Sequence, residues 1–323
     1  MTMSSSRRSA VGVIASVVAL VLAGCGASTG SSAEGGPTPS ALGGDSRMGA
    51  VQLVTDDLDG LRRFYTEGVG LEAISSDEQG ARLGVGDEVL LELVAAESPD
   101  AAADDPAEAG LYHSAFLYSE ATELASALVR TAGVAPGSFQ GSADHRVSLA
   151  FYFADPDGNG VELYVDTPED TWIWNDGIVT MGSEALDPNA FIDEHLGDAP
   201  PSASAGALSM GHVHLRGGDL EQAEAFYEDG IGFAVTQRAD GAVFFAADGY
   251  HHHLAVNVWS SAGAGERPDS LGLGEVTVLV PDSAELDAVA ARLSEGGYEF
   301  QRNGSVLVAE DPWGTVVSVE VAS

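Results

Sequence analysis

Polar and apolar residues alternate through "GAVQLVT", residues 49 to 55, as in a strand with one buried face. The next stretch, "DLDGLRRFYTEGVG", changes to a helical pattern. It opens at Asp57, whose carboxylate can cap the first free N–H groups, and ends at Gly70, a residue able to stop a helix. "GARLGVG" and "EVLLELVAA" then return to strand patterning and fit a meander. A unit of about fifty residues in the order strand, helix, strands has an apolar sheet face that it cannot bury alone, so such units must pair.

The unit recurs. "MGAVQLVTDDLDGLRRFYTEGVGLEAI" from Met48 aligns without a gap on "MGHVHLRGGDLEQAEAFYEDGIGFAVT" from Met210, matching Asp57 to Asp219, Tyr65 to Tyr227 and Gly70 to Gly232 at an offset of 162. The same offset carries "GLYHSAFLYS" at Gly110 onto "GLGEVTVLVP" at Gly272, and "ADPDGNGVELY" pairs with "EDPWGTVVSVEV" after a six-residue shortening. This is a duplicated domain, and a fainter repetition within each half gives four modules of an α+β fold. The predicted organisation is a leader over 1–24, a flexible tether over 25–46, an N-terminal domain over 47–167, a linker over 168–206 and a C-terminal domain over 207–323.

One acid stands against this pattern. In "DPDGNGVELYVD" a Pro- and Gly-containing turn starts a strand whose register puts Glu162 and Tyr164 on one face and Val161, Leu163 and Val165 on the other. A carboxylate in a buried strand needs a partner.

Charge narrows the partners. Asp and Glu number 50 against 13 basic residues, all Arg, for a formal charge of -37. Such a chain repels phosphate backbones and anionic headgroups, which argues against nucleic acid and against polybasic docking to membranes. The acidity itself suits a solvated surface in high salt. With Cys25 the only cysteine, the folded part uses neither disulfides nor thiolate metal sites. No nucleophile arrangement, phosphate loop or dinucleotide fingerprint is present.

The N-terminus reads as a targeting segment. Arg7 and Arg8 precede the apolar run "AVGVIASVVALVLAG", which ends at Cys25 and fits a secretory signal. The stretch "LAGC" resembles the bacterial lipobox, and "SRRSAV" faintly resembles a twin-arginine signal. The first resemblance implies lipidation of Cys25 and an exported protein anchored on the extracytoplasmic face of the cell membrane. Residues 26 to 46 are rich in Gly, Ser and Pro, the composition of a tether. Trp172 and Trp174 are candidates to anchor the linker.

The four-module layout resembles the vicinal oxygen chelate superfamily, in which paired βαβββ modules form an open barrel around a metal. From Met48 to Val321 the chain looks most like the two-domain catechol 2,3-dioxygenase type. The ring-cleavage signature of that type is met by His145, Phe151-Tyr152, Asp155-Pro156, Gly158 and Glu162, with one departure at Ala143. The resemblance implies that Glu162 is a metal ligand, that His113 in "GLYHSAF" is a second, and that Gln52 in "AVQLV" stands where such an enzyme has His. It places His145 and Tyr152 in the cleft as the groups that manage protons. It further implies a divalent metal, Fe(II) or Mn(II) before Ni(II) or Zn(II), and a small catecholic substrate; a homo-oligomer stays open.

Two other readings stand beside this one. Glu92 in "VLLELVAA" lies where glyoxalase I enzymes supply a ligand, and Gln52, Glu92, His113 and Glu162 together resemble the ligand set of some glyoxalases, which implies a Lewis-acid isomerase or lyase. A non-catalytic surface protein that binds a small ligand or a metal is the third. In the C-terminal half, His214 occupies the Gln52 position, but Glu275 replaces His113 and Ser318 replaces Glu162. "GYHHHLAVNVW" resembles a stretch typical of the catechol 2,3-dioxygenase-like proteins; read as a strand, it puts His251 and His253 on one face, where His212 or His214 could complete a zinc or nickel site.

Overall fold

The first module is built as its pattern predicts. The strand Arg47–Thr55 leads to a helix capped by Asp57, whose side chain accepts from the Gly60 N–H. The helix is α over Leu58–Arg63 and widens to π over Phe64–Val69 before Gly70 ends it at φ +99°. A side chain at Gly70 would also put its Cβ 2.6 Å from Arg130 Nη2, which donates to Val69 O, while Arg130 Nε donates to Gly68 O. The third module repeats the device with Asp219, a π turn over Ala225–Ile231, Gly232 at φ +108° and Arg292. The widening to π geometry has no mark in the hydrophobic pattern. The computed structural model describes residues 35–98 and 101–322; the leader, Arg7, Arg8 and Cys25 lie outside the described residues.

The strands form an eight-stranded sheet, a nine-stranded sheet and a small two-stranded one. Each module sets its opening strand parallel to its closing strand: Arg47–Thr55 with Glu88–Ala95, Gly110–Tyr118 with Gly160–Asp166, Leu208–Arg216 with Leu254–Asn257, and Gly272–Val280 with Val316–Val321. Two modules then join through antiparallel opening strands. The first module joins the fourth, and the second joins the third. This corrects the expectation that 47–167 and 207–323 each pair their own two modules into a barrel. The physical reason lies in the helices. The helix Ala121–Val134 of the second module packs on the π turn of the first, Tyr65 donates its hydroxyl to Asp155 at 2.9 Å, and Tyr118 donates to Val69 O at 2.7 Å. Modules of one half are thus joined through helices and turns, and their opening strands are left to pair with the other half.

One continuous apolar core runs through both halves and includes Leu53, Phe64, Phe116, Phe151, Phe226 and Val276. Within the predicted tether, the segment around Leu42 is docked. Leu42 is buried, and its N–H donates to Gly232 O at 2.7 Å. In the linker, Trp172 is buried with Val147 and Val179, and Trp174 packs beside them.

Candidate metal centre

Four residues stand in a row across adjacent strands of the nine-stranded sheet. Tyr152 lies opposite Glu162, Glu162 opposite Ala115, and Ala115 opposite His212. His113, two residues before Ala115 and therefore on the same face, lies opposite His214. Ala115 ends at its Cβ, so Glu162 and His212, one strand away on either side, can reach across it. Glu162 Oε2 is 3.0 Å from His113 Nε2 and 3.2 Å from His212 Nε2, and the two Nε2 atoms are 3.3 Å apart. All three side chains are buried. Gly160 allows the close fit, because a Cβ there would lie 2.0 Å from Tyr112 O and 2.9 Å from His113 Cβ.

The triangle fits a metal. Donors about 2.1 Å from a divalent ion and at right angles to one another are roughly 3.0 Å apart, so three atoms at these spacings describe one face of an octahedron. Two imidazoles and one carboxylate are the donor set of non-haem Fe(II) sites that keep open positions. Among the described residues, no other cluster of His, Cys, Asp or Glu converges in this way. Burial lowers His212 to a pKa of about 4, so at neutral pH its ring is uncharged and offers a lone pair. At Glu162 burial favours the acid, but the attraction and hydrogen bonds of His212 and His113 outweigh it and hold the carboxyl well below its usual range.

Residues 47–163 and 209–319 match the Glyoxalase/Bleomycin resistance protein/Dioxygenase superfamily. The chain belongs to that superfamily. It is 34% identical over 273 residues to catechol-2,3-dioxygenase from Bacillus subtilis (strain 168), covering 83% of this chain and 94% of the relative. Among solved structures, a putative dioxygenase from Bacillus subtilis subsp. subtilis str. 168 superposes with a TM-score of 0.57 at 11% identity, covering 85% of each chain. A glyoxalase I variant from Zea mays superposes with a TM-score of 0.52 at 19% identity, covering 86% of this chain and 92% of that one. At these identities the two superpositions establish the fold.

In this member of the superfamily, the side chains around the three donors have defined roles. His145 Nδ1 lies 2.6 Å from Gly182 O and must donate to it, which leaves Nε2, 2.7 Å from the Tyr152 hydroxyl, to accept. Burial and the nearby Glu162 charge push the Tyr152 phenol well above its ordinary value, so it stays a donor. Tyr112 packs between His113, His214 and Trp259, with ring centroids 5.3, 4.8 and 5.3 Å away. His214 is tied to Asn257 Nδ2 at 3.0 Å, and burial holds it well below its usual pKa.

Several expected ligands sit elsewhere. Gln52 and Glu92 lie in the eight-stranded sheet, where Gln52 Nε2 is 3.5 Å from Glu92, Arg82 bonds Glu92 at 3.0 Å, and Gln52 is opposite Glu275. The set Gln52, Glu92, His113 and Glu162 is therefore not assembled, because the first module pairs with the fourth. His251 and His253 do not share a strand face, since the strand begins only at Leu254. His251 Nε2 pairs with Asp166 at 2.8 Å, and His253 Nδ1 accepts from the Ala247 N–H. It is His252 whose ring lies against His212, 4.1 Å between centroids.

His212 is the ligand that the aligned repeat does not single out. The offset of 162 matches Gln52 to His214 and draws attention there. The signal was present in "MGHVHL", where two histidines alternate onto one face. Knowing which of them faces Glu162 requires the neighbour of that strand.

Proposed function

We propose that the chain is a metal-dependent dioxygenase of the extradiol type that opens the ring of a small catecholic aromatic. The observation that carries this reading is the convergence of His113, Glu162 and His212. A bound Fe(II) or Mn(II) would supply Lewis acidity toward two vicinal oxygens and the redox capacity to use dioxygen. One carboxylate and two neutral imidazoles only partly neutralise a divalent ion, so the site favours a substrate hydroxyl that gives up its proton. The Tyr152 hydroxyl, whose hydrogen points to His145 Nε2, keeps its oxygen lone pairs to accept from a substrate hydroxyl beside Glu162. Tyr112, Phe244 and the partly exposed Trp259 surround His214 with aromatic faces suited to a flat ring. The name of the Bacillus subtilis relative agrees with this substrate class. No comparable geometry supports the glyoxalase-type reading, whose ligands Gln52 and Glu92 belong to the other sheet.

The test is metal content and turnover on one preparation purified without chelators. Wild type is expected to carry about one metal per chain and to consume oxygen with catechol while a yellow ring-opened product forms. The His113→Ala, Glu162→Ala double variant is expected to do neither. Wild type that stays empty after reconstitution with Fe, Mn, Ni and Zn would overturn the reading in favour of a non-catalytic binding protein. Export and lipidation at Cys25 belong to the same proposal and rest on the "LAGC" motif; Cys25→Ser should release the protein from the membrane fraction.

A further inference from the structure

His212 lacks the support that a metal-bound imidazole usually has. Such a ring is normally oriented by a hydrogen bond from its other nitrogen, but His212 Nδ1 is buried and bonds to no described residue. Packing holds the ring instead. Its neighbours are Tyr164 and His252, at centroid distances of 5.0 and 4.1 Å. Tyr164 is fixed within its strand, whereas His252 lies outside any strand and needs a support of its own.

His252 belongs to the tip of the hairpin that joins Ala242–Ala246 to Leu254–Asn257. In the first module the corresponding hairpin is laddered as far as Val85 and Glu88, leaving only Gly86 and Asp87 between them. In the third module the ladder stops at Phe245 and Leu254, and the tip is open. Within it Asp248 sits at φ +53°, a left-handed conformation that a non-glycine residue keeps where its surroundings hold it. The tether supplies that hold. Ser40 Oγ accepts from the Asp248 N–H at 3.3 Å and donates to Leu42 O at 2.7 Å, while the buried Leu42 donates its own N–H to Gly232 O. The fit is close, since a Cβ at Gly44 would lie 3.2 Å from Asp248 Oδ2 and one at Gly249 would lie 2.8 Å from Pro37 Cγ. On its inner side the tip is tied by Tyr250, which donates to Asp166 Oδ2 at 2.9 Å.

We propose that Ser40 and Leu42 are positioning residues for the metal centre: by gripping the hairpin tip at Asp248 they keep His252 against His212 and so set the direction of a donor that no hydrogen bond orients. This rests on reading His113, Glu162 and His212 as metal ligands, and not on the reaction the metal serves. The docked part of the tether is then a strap across the site. Metal affinity is coupled to its docking, so a chain whose strap is released holds the ion less tightly while the three donors remain in place in the sequence.

The experiment compares the full chain with its Leu42→Asp, Leu42→Met and Leu307→Ala variants, the last opening a cavity at a buried position of the eight-stranded sheet. Two quantities are measured: backbone hydrogen exchange over residues 246–253 in metal-free protein, and the dissociation constant for Co(II). Leu42→Asp is expected to speed exchange at the tip and to weaken Co(II) binding about 10-fold or more, the scale for loss of a supporting partner. Leu42→Met should restore both to the wild-type level. Leu307→Ala should lower overall stability and leave Co(II) affinity unchanged. Wild-type affinity in Leu42→Asp overturns the proposal even where the tip opens, and equal weakening in Leu307→Ala overturns it by reducing the effect to lost stability. Where Leu42→Asp does not fold, Ser40→Ala decides: weaker Co(II) binding with faster exchange at Asp248 supports the strap, and wild-type values sink it. A wild type that binds no Co(II) overturns the metal centre itself, a result distinct from a wild type and a Leu42→Asp that bind it equally well.

Discussion

His212 Nε2 lies 3.2 Å from Glu162 Oε2, although the two residues come from different halves of the chain. The metal centre therefore needs both halves. His212→Ala should cut metal affinity by more than the roughly 10- to 100-fold that loss of a supporting partner costs, while Gln52→Ala and Glu92→Ala should leave metal content at the wild-type level. Metal analysis after dialysis checks this. Retention by His212→Ala together with loss in Glu92→Ala would return the site to the other sheet.

Ala115 separates Glu162 from His212 in the row across the strands, and it is fully buried. Ala115→Val puts extra methyl groups into the space over which the two side chains meet. Overpacking of this kind costs about 1–3 kcal/mol. The variant should remain folded by circular dichroism and bind substoichiometric metal, whereas Ala115→Gly should bind normally. Full metal occupancy in Ala115→Val would mean that the ion does not sit over this position.

Tyr152 and His145 touch each other, and no other described residue takes the His145 Nε2 lone pair. Tyr152→Phe removes the donor without changing the three metal-binding side chains. Steady-state kinetics should show a fall in kcat of roughly 100- to 10,000-fold, the range for loss of a general acid or base, with metal content unchanged. An unaltered kcat would reduce this pair to packing.

Much of this arrangement is legible in the sequence. The Asp57 cap, the Gly70 stop, the DPDGNG turn and the shared face of Glu162 and Tyr164 all follow from local rules, because each depends on residues a few positions apart. His113 and Glu162 follow as well, one on the opening strand and one on the closing strand of a single module. The pairing of modules is not legible. Opening strands of the first and third modules carry nearly the same alternation, so the pattern cannot say which edge meets which, and the choice between His212 and His214 depends on that meeting. The contact of His252 with His212 is not legible for a second reason: "HHH" precedes its strand, and the alternation rule does not apply to it.

The docked part of the tether provides a stability test. Leu42 is 2% exposed, and its N–H reaches Gly232 O, the glycine that ends the helix of the third module. Leu42→Ala should destabilise the protein by about 2–5 kcal/mol. A chain beginning at residue 47 should lose at least as much relative to one beginning at residue 35. Urea midpoints measure all three. An unchanged midpoint for Leu42→Ala would show that residues 35–46 contribute no stability.

Asp155 has a distinct dependence on pH. It accepts from the Tyr65 hydroxyl, from Asn159 Nδ2 and from the backbone N–H groups of Asp157 and Asn159. Burial outweighs these bonds and raises its carboxyl to about 6, above the value of about 3.9 in an unfolded chain. The folded state thus holds this proton more tightly than the unfolded state. Its contribution is fully present below about pH 4, declines as pH rises through about 6, and is constant above that. The two pKa values set its scale at about 3 kcal/mol. Asp155→Asn abolishes the titration and weakens the bonds, so the stability difference between wild type and variant should be largest at pH 4 and shrink toward pH 7. Urea unfolding of both proteins at pH 4, 5, 6 and 7 gives that difference directly. A difference that stays flat or grows with pH would mean that Asp155 is already ionised in the folded protein throughout this range, and that its hydrogen bonds, rather than its burial, set its affinity for the proton.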